Sequence, residues 1–396
     1  MTLNLSIMPG LLAAAALLAA GCTTRLPVDD PLLQPQAISP QRLLAGAPLT
    51  GGVEPNSVPL ADILGLNDEM RRFVTDHVPA ESGSQWRLRA LLRALLEDAG
   101  YTIEYEDRTY TAAEAFRLRR ANCLGFTNMF VALAREAGLT VHFQEVDVPP
   151  DWSQNAAGLV QSRHVNTLVV AEDGSERVVD FNMADFRTSY DRRMISDARA
   201  AAHFYNNDGV DRMAAGDRLA ALQYFRMAID ADGSFAPVWI NLGALYSRAG
   251  YPAWAEAAWL HTLTLAPHEY VAMSNLERLY RDAGRSAAAD KLAARIKHFR
   301  NANPYYRYQL AEQAFSRGDY RKAIAHLRFA VQKKPNEDRF YALMGLAWLR
   351  EGDADRAQRW MARAEAVAQD DELKNHYHGK LERLRSSQVG RESLGS

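Results

Sequence analysis

Apolar positions along this chain follow three different rhythms, and each predicts a different kind of element. From about residue 202 onward the pattern repeats every 34 residues. Glycines stand at Gly216, Gly250, Gly284, Gly318 and Gly352, and five residues after each comes an alanine, Ala221, Ala255, Ala289, Ala323 and Ala357. Large apolar residues precede the glycines, as Trp239, Leu242 and Tyr246 do in the second unit. Phe225, Trp259, Leu327 and Met361 follow the alanines in phase, and Pro267 and Pro335 close two of the units. The spacing predicts five helix pairs, about 202–235, 236–269, 270–303, 304–337 and 338–371. A glycine just past a helix end accepts the left-handed backbone that a chain reversal needs. One pair cannot bury its apolar face, so neighbours stack. The third unit is degenerate: Glu277 stands where a small residue is usual and Ala293 where a large one is. Residues 372–385 read as a polar capping helix and 386–396 as a disordered tail.

Residues 55–195 have another texture. Ala61 to Val78 and Gln85 to Ala99 read as amphipathic helices, and Gly100 to Tyr105 as a short strand. Thr111 and Glu114 form a capping box that opens a helix through Leu118. Asn122 is a good N-cap and Gly138 a good stop, which places Cys123 in the first turn of a helix. Apolar residues at 126, 130, 133, 134 and 137 give that helix one buried face. Period-two alternation predicts strands over Thr140–Val148 and His164–Val170, and a turn at Glu172–Ser175 sends Arg177–Phe181 back alongside the second. His164 and Asp180 are an even number of residues apart. They share a face of this hairpin if its loop has three or five residues, or if a bulge restores the parity, with Gly174 supplying positive φ.

The third rhythm is a continuous apolar run, Leu11 to Ala20, too short for a bilayer span, which needs about 20 residues, but of signal-peptide length. The expectation is a lipoprotein signal peptide over 1–21 and an extended tether over 22–54, where Pro27, Pro31, Pro35, Pro40 and Pro48 interrupt any periodicity. No Lys or Arg precedes the run, a departure that a different translation start would explain.

Composition narrows the classes. The 396 residues are 48% hydrophobic and 24% charged, a globular balance, and 46 basic against 48 acidic residues leave no nucleic-acid footprint. Two cysteines cannot build a disulfide framework.

Ala19-Ala20-Gly21-Cys22 resembles the bacterial lipobox, which implies acylation of Cys22 and a lipid anchor in the cell envelope. Thr23 after the cysteine resembles outer-membrane sorting, facing the periplasm. Cys22 is then consumed by lipid, and Cys123 remains as a lone exported thiol, whose place in a helix's first turn favours the thiolate. The 34-residue units resemble tetratricopeptide repeats. That implies a protein or peptide partner, with Tyr224, Arg226, Trp254, His261, Arg307 and Tyr308 as candidates for the concave face. His376 and His378 are nearby polar positions on the cap helix, and without an assigned acidic or Cys partner they speak against a metal there.

Cys at a helix start, His on a strand and Asp on the next strand resemble the transglutaminase-like fold of papain-like thiol enzymes. The resemblance covers about residues 58–190 and rests on Asn122-Cys123, His164, Asp180 and the Tyr105–Phe116 stretch. Ala121 replaces a usual glycine, and Asn166 a common aromatic residue. The resemblance implies Cys123 as nucleophile, His164 as base and then acid, and Asp180 as orienter, with no cofactor or metal. The expected fold is an α+β transglutaminase-like domain followed by an all-α tetratricopeptide-repeat solenoid. The expected function is an envelope-anchored thiol hydrolase or acyltransferase acting on an amide, its repeats recruiting a protein partner or substrate. The alternative is a non-catalytic envelope adaptor that binds partners through its repeats.

Overall fold

The computed structural model describes residues 38–53, 58–96, 101–149, 164–181, 187, 189–368 and 371–392, with side chains to 383. The apolar run 11–20, Cys22 and the first part of the tether lie outside these residues.

The rest of the tether is not extended. Pro40–Ala45 forms α1 and Ala47–Thr50 forms α2. Ser39 caps α1, and Gly46, at φ 65°, both ends it and opens α2. Proline at the first turn of each helix costs no intrahelical hydrogen bond, so the residues that suggested a tether start helices instead. The segment is docked, with Leu43 fully buried.

The α+β domain begins with α3 (Asp68–His77) and α4 (Ser84–Leu96), followed by β1 (Glu104–Tyr105), α5 (Ala112–Leu118), β2 (Arg120–Ala121) and α6 (Cys123–Glu136). The expected capping box at Thr111 and Glu114 is present. α3 is shorter than its apolar pattern because Asn67 caps it, its side chain accepting from the Met70 N–H at 2.9 Å. Strands β3 (Thr140–Val146), β4 (His164–Val170), β5 (Glu176–Val179) and β6 (Arg192–Ile195) form one antiparallel sheet in the order β5-β4-β3-β6. α6 is buried on every side, from Leu124 to Ala134, rather than along one face. The sheet covers one flank, and α3 and α5 cover the others. Apolar side chains around most of its circumference permit this, and the polar Thr127 and Asn128 make hydrogen bonds where they are buried.

The helix pairs follow: α7 (Asp197–Ala214) with α8 (Arg218–Ala231), α9 (Ala236–Arg248) with α10 (Pro252–Leu265), α11 (Tyr270–Asp282) with α12 (Ser286–Ala302), α13 (Pro304–Ser316) with α14 (Tyr320–Lys333), and α15 (Asp338–Arg350) with α16 (Ala354–Val367). All five glycines turn the chain with φ between 71° and 90°. All five phased alanines are fully buried. The cap helix α17 runs from Asp371 to Glu392, so residues 386–392 continue a helix where a disordered tail was expected.

The two parts share one hydrophobic core. It runs from Leu43 and the α3–α6 layer through the first three repeats to Leu292. A buried carboxylate sits at this junction. Glu145 on β3 lies 2.8 Å from His203 Nε2 on α7, and Arg193 on β6 bonds its other oxygen. Burial opposes the charge of Glu145, but these partners outweigh it and bring its carboxyl down to about 2.

Candidate functional site

Asn122 prepares the start of α6. Its side-chain oxygen accepts from the Gly125 N–H at 2.8 Å, and its amide donates to the Asp107 carbonyl and the Thr109 hydroxyl. Cys123 is therefore held in the first turn, half-exposed and unpaired in any disulfide. The Thr127 hydroxyl donates to the Cys123 carbonyl at 2.7 Å and lies 3.2 Å from the Val165 carbonyl, which ties the start of α6 to β4.

β4 and β5 pair with Val170 opposite Glu176 and Thr167 opposite Val179. The loop between them holds the five residues 171–175, and Gly174 has φ 78°. Continuing this register places Asp180 opposite Asn166 and diagonal to His164, on one face. His164 Nε2 lies 2.6 Å from Asp180 Oδ2, and the Asn166 amide donates to the same oxygen at 2.9 Å. The Asp180 side chain is fully buried and that of His164 is 9% exposed. Phe181 stacks on Phe126 of α6 with ring centres 4.8 Å apart, fixing the chain beyond Asp180 to the helix that carries Cys123.

With Nε2 committed to Asp180, Nδ1 is the nitrogen left for the thiol, and Cys123 is near enough to His164 to favour its charged form. Burial disfavours the charged ring. The bonds to Asp180 and Cys123 more than offset it and push the imidazole up to about 9. The structure thus brings Cys123, His164 and Asp180 together. Asn166 is the residue that reading the sequence undervalued. It stood out only as a missing aromatic, whereas the same register that pairs His164 with Asp180 puts Asn166 directly across from the carboxylate.

The expected partner-binding residues are largely occupied. Arg226 grips α1: its Nε donates to the Leu44 carbonyl at 2.6 Å and its Nη2 to the Ala45 carbonyl at 2.9 Å. The Tyr246 hydroxyl donates to the Leu43 carbonyl. Trp254 packs against Tyr246, His261 against Trp239, Tyr308 against Phe340, and Arg307 sits over Phe329. His378 does have an acidic partner, Glu365 of α16 at 2.9 Å, which the sequence spacing did not show. Among the described residues, no three His, Cys, Asp or Glu side chains are grouped to hold a metal ion, and no helix is long and apolar enough to cross a membrane.

Residues 72–208 match the family model of the transglutaminase-like superfamily, and residues 314–375 that of the tetratricopeptide repeat. The protein carries a transglutaminase-like domain followed by tetratricopeptide repeats, and the repeats support binding of a protein partner. Among solved structures, MamA is 22% identical over 45% of this chain and 95% of its own, with a TM-score of 0.24. YrrB, described as a tetratricopeptide-repeat protein with an unusual peptide-binding site, is 15% identical over 45% of this chain and 92% of its own, TM-score 0.24. MamA from Desulfovibrio magneticus RS-1 is 17% identical over 43% of this chain and 96% of its own, TM-score 0.24. No curated protein matches the chain.

Proposed function

We propose that the protein is a thiol hydrolase or acyltransferase acting on an amide bond of a protein or peptide, anchored in the bacterial envelope through Cys22. One observation carries the reading: a buried Asp180 holds His164 by a 2.6 Å bond, and that imidazole reaches the thiol at the start of α6. His164 takes the Cys123 proton, and the thiolate attacks the amide carbonyl. The Cys123 and Leu124 N–H groups at the start of α6, which have no intrahelical acceptor, stabilise the oxyanion. The imidazolium then protonates the departing amine and a thioester remains. Water or a second amine, deprotonated by His164, attacks the thioester and frees the thiol. Asp180 keeps the imidazole in the tautomer that accepts at Nδ1, and Asn166 keeps Asp180 in place. The lipobox-like Ala19–Cys22 stretch supports the anchor, and Thr23 supports an outer-membrane site facing the periplasm.

The test is the pH profile of Cys123 alkylation by iodoacetamide. Rapid labelling that falls at least tenfold in His164→Ala, together with amide cleavage or transfer in a screen of envelope peptides, is the expected result. A thiol that labels at the same slow rate in both proteins would sink the proposal.

A further inference from the structure

Charge is segregated along the solenoid. Residues 291–334 hold 11 of the chain's 46 Lys and Arg but only 2 of its 48 Asp and Glu, in a chain whose net charge is −2. The excess collects on the second helices of the pairs. α14 has no acidic residue, and it exposes Arg321, Lys322, Arg328 and Lys333. α12 exposes Lys291 and Lys297, and its one acidic residue, Asp290, lies 3.1 Å from Arg281. On α16 the exposed Arg356, Arg359 and Arg363 outnumber Asp355, and Glu365 is taken by His378. Arg321 pairs with Glu351, but Lys291, Lys297, Lys322 and Arg328 make no ion pair among the described residues.

This array continues across a break in the apolar core. The cluster shared with the α+β domain ends at Leu292 on α12, and a separate one begins at Ala311 on α13. Arg307 spans the break. Its Nε donates to the Asn301 carbonyl of α12 at 2.8 Å, and its guanidinium lies 4.9 Å from the centre of the Phe329 ring on α14. Burial, with Arg307 and Lys322 beside it, holds the His326 imidazole below its ordinary value, and no carboxylate acts against them. The cations are spread over three helices instead of converging on one point. That spread suits a sheet of negative charge better than a compact anion.

The same row of helices receives the N-terminal segment. Arg226 of α8 holds the end of α1, and α1 packs along α10. Residues 23–37 separate that docked segment from Cys22 and reach about 50 Å at full extension. An anchor at Cys22 therefore delivers the chain to a membrane beside the row that carries the cations.

We propose that the outer surface of α12, α14 and α16 rests on an anionic lipid surface. A lipid anchor alone leaves the protein free to pivot, and a second, electrostatic attachment lays the solenoid lengthwise along the membrane. The choice of lipid as partner draws on the proposed anchor and not on the thiol chemistry. Mass spectrometry of Cys22 tests the anchor, and vesicle binding by a chain without one tests the surface, so the two failures are distinguishable.

Vesicle flotation uses the chain from residue 23 onward, which keeps every described residue and has neither the apolar run nor an acylated cysteine. Vesicles of phosphatidylcholine with one-third phosphatidylglycerol should bind it at least about tenfold more tightly than phosphatidylcholine alone at low salt, and half-molar salt should abolish the difference. Lys322→Glu with Arg328→Glu should weaken binding to the anionic vesicles about tenfold while helical circular dichroism is unchanged. The same charge change at Arg177 and Arg248, exposed on β5 and α9, should leave binding nearly as it was. Equal binding to both kinds of vesicle, or equal losses in the two double variants, overturns the assignment. Binding to poly-glutamate but not to anionic vesicles, lost in Lys322→Glu with Arg328→Glu, also overturns it and makes the partner an acidic protein.

Discussion

Glu145 of the sheet and His203 of the first repeat helix meet at 2.8 Å inside the joint between the two domains, with both side chains almost wholly buried. A buried ion pair is costly to break from one side, because the remaining group stays desolvated without its partner. Glu145→Ala should therefore cost about 3–5 kcal/mol. Its carboxyl is held below the usual range, so its contribution is present above about pH 4.5 and fades as the pH falls toward 2. Chemical denaturation of wild type and variant at pH 7 and pH 3 checks both statements: the gap between them should narrow in acid.

His164 gives the opposite sign. Its folded-state value, about 9, lies above the ordinary 6.5. The stability it contributes is complete below pH 6.5 and is lost as the pH rises through 9. Melting curves of wild type and His164→Gln should differ most at pH 6 and converge by pH 10. Parallel curves across that range would show that the imidazole is not held charged by Asp180 and Cys123.

The docked segment makes a further prediction. Arg226 satisfies two carbonyls at the end of α1, and hydrogen bonds from a charged group contribute roughly 1.5–3 kcal/mol. Arg226→Ala should expose residues 38–53 to limited proteolysis while the repeats keep their helical circular dichroism. Unchanged protection of the segment would show that Leu43 burial alone holds it.

Ala255 and Ala323 have no free surface at the contacts within their helix pairs. Replacing either by Leu should overpack that contact and cost roughly 1–3 kcal/mol, measured by urea titration.

Anchoring is checked in cells. Cys22→Ser should leave the protein unprocessed or release it from the membrane fraction. Mass spectrometry showing an unlipidated Cys22 in the native host would reject the anchor.

Much of this architecture was legible in the residues because it depends on local rules. A 34-residue recurrence of Gly and Ala needs no tertiary information, since each glycine requires a left-handed backbone and each alanine a close helix contact. The His164–Asp180 relationship was legible for a similar reason: strand alternation and loop length determine which side chains share a face. What stayed hidden depends on distant neighbours. Nothing near Pro40 announces that Leu43 will be buried 203 residues away beside Tyr246. The full burial of α6 needed knowledge of the layers on its other flanks. The partners of Glu145 come from β6 and α7, and an isolated Glu in an alternating strand reads as a solvent-facing position.

The interrupted solenoid core has a mechanical meaning. Repeats four and five form their own hydrophobic cluster. They are tied back to the α+β domain largely by polar side chains: the Ser189 hydroxyl on Glu337 at 2.7 Å, Lys334 on Asp191, and the edge of Tyr190 against Tyr305. Hydrophobic packing resists salt, whereas an exposed ion pair such as Lys334–Asp191 weakens with it. The distal repeats should therefore behave as a jaw whose latch loosens with ionic strength, while the hinge, made of apolar contacts up to Leu292, stays intact.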